Sequence, residues 1–171
     1  MKHTISILVE NQPGVLARVA GLFSRRGYNI ESIAVGATED PGISRMTIVV
    51  DGDKCNVEQI TKNVHKLIEV LKVSDLTFDD MVARELALIK VTADAANRSE
   101  ILQIVDIFRA KIIDVSERSV IVEVTGDERK VEAMIRMLRP FGIKELARTG
   151  QVAMARGTKP EQISKSQTAT A

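Results

Sequence analysis

Two kinds of hydrophobic pattern, run through twice in the same order, constrain this chain more than any other feature. Over residues 4–10, Ile5, Ile7 and Val9 alternate with Thr4, Ser6 and Glu10, with Leu8 the exception. That is a strand with one buried face. The period then changes. Val15, Leu16, Val19, Leu22 and Phe23 share one face of a helix, Arg18, Arg25 and Arg26 fall largely off it, and Gly27 supplies a stop. Strand patterns return over residues 28–37 and 44–50, joined by a turn-forming stretch at 38–42. After Asp51-Gly52-Asp53 comes a second helical stripe of Val57, Ile60, Val64, Leu67, Ile68 and Leu71, then a weaker strand over 73–78. Strand, helix, strand, strand, helix, strand is the order of a ferredoxin-like split βαβ sandwich. Right-handed crossovers place its first and third strands in the middle of the sheet.

Residues 79–84 read as a short linker, and the order then repeats. A strand covers 85–91, and Ile101, Leu102, Val105 and Phe108 make a helical stripe. Strands at 111–115 and 120–124 turn at Glu117-Arg118-Ser119. Val131, Met134, Ile135 and Leu138 form another stripe, stopped near Pro140, and a last strand runs from Gly142 to about Val152. Local echoes tie the halves together. Leu22-Phe23 answers to Ile107-Phe108. Asp51-Gly52-Asp53 with Val57-Glu58 answers to Thr125-Gly126-Asp127 with Val131-Glu132. The expected class is therefore α+β, two tandem ferredoxin-like βαββαβ domains at 1–79 and 80–157. The stretch 158–171 has one large apolar residue, Ile163, and is expected to be a disordered tail.

Bulk properties exclude several functions. Net charge is +1 and aromatic residues are 3%, so there is neither a basic field nor a stacking platform for nucleic acid. No apolar run reaches the ~20 residues that span a bilayer, and no cleavable leader precedes the first strand. The lone Cys55 suits a reducing, cytoplasmic setting and is too little for a cysteine metal cluster. His3 and His65 have no Ser or Cys nucleophile beside them and read as solvated surface residues. No spacing of His, Cys, Asp and Glu suggests a metal, and no glycine-rich phosphate motif occurs. An acylphosphatase-like first loop would need an Arg, and none precedes Arg18.

The stretch Asn11-Gln12-Pro13-Gly14-Val15-Leu16 remains, where the first strand becomes the first helix. A helix start offers free N–H groups and a positive dipole end to a carboxylate. The Asn11 carboxamide can accept from an ammonium group, and Val15 and Leu16 could face an aliphatic side chain. Those are the parts of an amino acid receptor, and equally the parts of an ordinary turn. Gly27-Tyr28-Asn29 likewise reads as a helix exit.

The same residues resemble an ACT domain, whose first loop typically reads Asp/Asn-x-Pro-Gly-x-Leu and whose second strand opens on Gly-x-Asn-Ile, here Gly27-Tyr28-Asn29-Ile30. The longer runs Arg25 through Ser32, Asp40 through Ile48 and Phe108 through Val115 resemble the acetohydroxyacid synthase small-subunit family, over about residues 3–157. The resemblance implies a non-catalytic regulatory subunit. It would activate a large subunit that uses thiamine diphosphate, Mg²⁺ and FAD, and confer feedback inhibition by a branched-chain amino acid, usually valine. It further implies that two ACT domains pair sheet edge to sheet edge as a homodimer. The effector would sit between Asn11, Gln12, Pro13, Gly14, Val15 and Leu16 of one chain and Asn29 and Ile30 of the other. Asn11 stands where the family more often has an acid. The rival expectation is a free-standing ACT-domain sensor that regulates another enzyme or a transporter.

Overall fold

The computed structural model describes residues 1–52 and 54–157, without the side chains of 54–56; the expected tail at 158–171 lies outside them. The chain divides into two compact units. Of the described residues, one unit comprises 1–82 and 153–157; the other comprises 83–152. Residues 80–82 and 153–157, which the sequence reading put in the second domain, thus group with the first.

The first unit runs β1 (Lys2–Glu10), α1 (Val15–Arg25), β2 (Ile30–Ala37), β3 (Ile43–Asp51), α2 (Lys54–Val64) and β4 (Val70–Asp75). Its sheet is antiparallel in the order β2-β3-β1-β4, with the first and third strands central. Ile5, Ile7 and Val9 of β1 and Met46, Ile48 and Val50 of β3 point to the helices. There they meet Val15, Val19 and Phe23 of α1 and Val57, Ile60 and Val64 of α2. The second unit repeats this with β5 (Met81–Thr92), α3 (Arg98–Ile107), β6 (Lys111–Val115), β7 (Ser119–Gly126), α4 (Glu128–Leu138) and β8 (Ile143–Arg148), in the order β6-β7-β5-β8. Its core joins Ala87, Ile89, Val91, Val120, Val122 and Val124 to Ile101, Val105, Val131 and Met134. The expected α+β class of two ferredoxin-like units holds.

The first helix of each unit leaves by one hydrogen-bonded device. In α1 the N–H of Gly27 donates to the Ser24 carbonyl and that of Tyr28 to the Phe23 carbonyl, at 3.0 and 3.1 Å. In α3 Arg109 donates to Asp106 and Ala110 to Val105, at 3.0 and 2.9 Å. This is the Schellman closure, with Gly27 and then Arg109 as the left-handed residue. It aligns Phe23 with Val105, both buried. The expected match of Phe23 to Phe108 is therefore corrected: Phe108 is the helix cap.

Other boundaries moved for local reasons. The stripe expected to carry α2 to Leu71 ends at Val64, because Lys66 and Leu67 donate three residues back, to Asn63 and Val64, tightening the chain into a turn. The fourth strand consequently starts at Val70, not Val73, and β5 begins at Met81, inside the expected linker. The single last strand is two: β8, then β9 (Val152–Ala155), which pairs β5, with Gly150 at φ 78 between them. The outer face of β1 is buried too, at Thr4, Ser6 and Leu8. Arg45 lies along that face, its Nη1 donating to Ser6 Oγ at 3.0 Å, and Leu8 stands in register with Arg45 on one side and Lys72 on the other. His3 is fully buried rather than solvated: its Nδ1 lies 3.4 Å from Asp75 Oδ2, and the Phe78 ring packs edge-on against it. His65 is exposed, as expected.

Candidate functional site

The loop after β1 is held by its backbone and by one side chain. The Asn11 N–H donates to the Gly42 carbonyl at 2.7 Å, and Asn11 Nδ2 donates to the Pro41 carbonyl at 3.0 Å. Both acceptors lie in the turn between β2 and β3, which Asp40 stiffens by accepting from the Gly42 N–H at 2.9 Å. One N–H of the Asn11 carboxamide is thus committed within the chain, and its oxygen is left for another donor. Gly14 then turns the chain into α1 at φ 83, where a side chain would be strained.

The start of α1 has no acidic cap. Gly14 offers no side-chain cap, and the first turn has no acidic residue. The second unit differs at both of its helix starts. Asp94 accepts from the N–H groups of Ala96 and Asn97 ahead of α3, whose first turn contains Glu100. Asp127 accepts from the Lys130 N–H at α4, whose first turn contains Glu128. Carboxylates of the chain thus occupy the positive helix ends there, and the first turn of α1 contains none.

The predicted residues take distinct positions. Asn11, Gln12, Pro13 and Gly14 are exposed, and Leu16 is 45% exposed at the loop's edge. Val15 is 2% exposed and belongs to the core, so it offers the loop its backbone rather than a pocket wall. Asn29 is exposed, and Ile30 is half-buried at the start of β2. One copy does not bring the two groups together. Ile30 stands in register with Val50 at one end of the sheet, whereas Ala37 pairs with Ser44 and Glu10 with Ile43 at the other. The eight residues of β2 separate them, roughly 25 Å at strand rise. A polar cleft of about 510 Å³ opens near Asn29, lined by Arg26, Tyr28, Gly52, Gln59 and Asn63, with no loop residue among its walls.

Two residues of this region escaped the sequence reading. Arg18 reaches back over the loop, its Nη1 3.4 Å from where a Gly14 Cβ would stand, and its Nη2 meets Glu69 Oε1 at 2.5 Å. Helical side chains lean toward the N-terminus, so the position of Arg18 four residues after Gly14 was a usable signal. Nothing local announced Glu69, which arrives from the turn before β4. Among the described residues no group of three or more His, Cys, Asp and Glu could hold a metal, and no helix is long and apolar enough to cross a membrane.

Known proteins match at both units. A family model described as the small subunit of acetolactate synthase covers residues 84–157, and one described as the AHAS small subunit-like ACT domain covers residues 5–72. The chain is 62% identical over 159 residues to a probable acetolactate synthase small subunit of Archaeoglobus fulgidus, covering 93% of this chain and 99% of that protein. It is 56% identical over 157 residues to the acetolactate synthase small subunit of Mycobacterium leprae, covering 92% and 93% respectively. The crystal structure of the acetolactate synthase small subunit from Thermotoga maritima superposes with a TM-score of 0.84 at 51% identity, covering 92% of this chain and 99% of that one.

Proposed function

The chain belongs to the family of acetolactate synthase small subunits, and from that premise we propose that it is the regulatory, non-catalytic partner of a large catalytic subunit in the cytoplasm. In this reading the large subunit holds the thiamine diphosphate, Mg²⁺ and FAD and condenses pyruvate with a second 2-keto acid. The small subunit raises that activity and withdraws it when a branched-chain amino acid, valine first among them, binds. The rival reading as a free-standing sensor has no observation in its favour.

The observation that carries the proposal is the placement of β2. It is an outer strand of the sheet, with Val35 47% exposed, and an outer strand presents a row of N–H and C=O groups for a further strand to pair with. A second copy added antiparallel about a two-fold axis sets the start of one β2 beside the end of the other. Asn29 and Ile30 of one copy then approach the partner's β2–β3 turn, to which the Asn11 loop is tied. The completed site offers the bare start of α1 to the effector's carboxylate and the carboxamides of Asn11 and Asn29 to its ammonium. Leu16 and Ile30 flank its aliphatic side chain. Valine, leucine and isoleucine differ there by only ~1–3 kcal/mol.

The test is reconstitution with the large subunit. The wild-type chain raises turnover and valine suppresses it, whereas Gly14→Asp and Asn29→His keep the activation and lose the inhibition. Both variants remaining fully valine-sensitive would mean that the site lies elsewhere.

A further inference from the structure

Resting on the amino acid-binding reading above, we propose that Arg18 and Glu69 are the part of the site that answers to the effector's carboxylate, and that Glu69 competes with it for the Arg18 guanidinium. The geometry is that of a shared cation. Arg18 lies over the loop with one nitrogen beside Gly14, while another is held by Glu69. The Arg18 side chain is 46% exposed and that of Glu69 only 19%, so the cation of the pair is the more open to an incoming carboxylate. A cation near a helix start opposes the dipole, and here a carboxylate from a distant turn offsets it. A guanidinium has five donors in a fork, enough to serve a second carboxylate. Two carboxylates drawn to one guanidinium repel each other, so the effector's gain is a loss to Glu69.

The loss has a route outward. The Glu69 carbonyl accepts the Glu10 N–H at 2.8 Å, which ties the end of β1 to the turn before β4. That turn also carries Ile68, 92% exposed. Effector occupancy at the loop is thereby coupled to the hold on this turn.

Calorimetry on the full-length chain tests this, with valine and with valinamide, which lacks the carboxylate charge. Arg18→Gln is expected to weaken valine about tenfold and to leave valinamide unmoved. Arg18→Lys, which keeps the charge and loses the fork, should recover part of the affinity. Glu69→Gln, which removes the competitor, should tighten valine about threefold. If valinamide gives no heat even with the wild type, the graded fall in valine affinity from wild type through Arg18→Lys to Arg18→Gln decides alone. Wild-type affinity in both Arg18→Gln and Glu69→Gln, or equal shifts for valine and valinamide, overturns the proposal. If Gly14→Asp abolishes binding while Arg18→Gln does not, the site reading survives and the role of Arg18 fails. No heat from wild type with valine, leucine or isoleucine overturns both.

Discussion

Gly27 and Arg109 hold one position in one helix-exit motif, at φ 74 and φ 50. A left-handed residue with a Cβ costs about 1 kcal/mol, part of which glycine returns through its freer unfolded chain. Arg109→Gly should therefore raise stability by up to about 0.5 kcal/mol in chemical denaturation; a clear loss would show that the Arg109 side chain is needed. At Gly14 the same physics runs the other way: Gly14→Ala keeps the loop neutral but should cost about 1 kcal/mol through its φ of 83. A third residue-scale case is Glu85, buried in the second unit. Arg148 bridges it at 2.5 Å and Glu132 at 2.6 Å. Burial works to lower the pKa of Arg148, but the two carboxylates outweigh it and hold the pKa above the usual guanidinium value. Since the folded value is raised, this contribution is fully present below the ordinary pKa and fades only in strong alkali. Arg148→Met would strand the Glu85 carboxylate and should destabilise by about 3 kcal/mol in the same denaturation assay. A change below about 1 kcal/mol would mean that solvent reaches Glu85 freely.

At the scale of elements, the period of the pattern located both helices and all four strands of the first unit, because the face that each helix and each strand turns to the core is apolar. Ends were less legible. The stripe of α2 continues in the letters through Leu67, Ile68 and Leu71, and only the three-residue bonds at Lys66 and Leu67 show where the helix stops. Ile68 sits on that apparent stripe and is nevertheless 92% exposed. His3 was misread because its partners Asp75 and Phe78 come from the far end of the unit, and nothing in a local window reports them. The edge strand β2 carries the element-scale prediction. Val35→Asp puts a charge where a second β2 would pair. The chain should sediment as a monomer with an unchanged circular dichroism spectrum and should lose effector binding; a dimer that still binds would place the interface on another element.

At the scale of the molecule, one topology appears twice, and the difference lies in the loops. The first unit has Gly14 and a bare helix start, and the second has Asp94 bonded to its own N–H groups. The letters of Asn11 to Leu16 and of Asn29 and Ile30 made the candidate site legible. Its division between two chains was legible only through the family resemblance; what neither motif spells out is the strand register that sets Ile30 opposite Val50 at one end of the sheet and Glu10 opposite Ile43 at the other. That division is the central claim, and mixing two defective chains tests it most directly. Gly14→Asp and Asn29→His homodimers should each bind no valine. A mixed dimer joins the intact loop of one chain to the intact Asn29 of the other. Random pairing of equal amounts should then restore about a quarter of the wild-type capacity in equilibrium dialysis. No recovery, with mixed dimers shown to be present, would contradict a site shared between two copies.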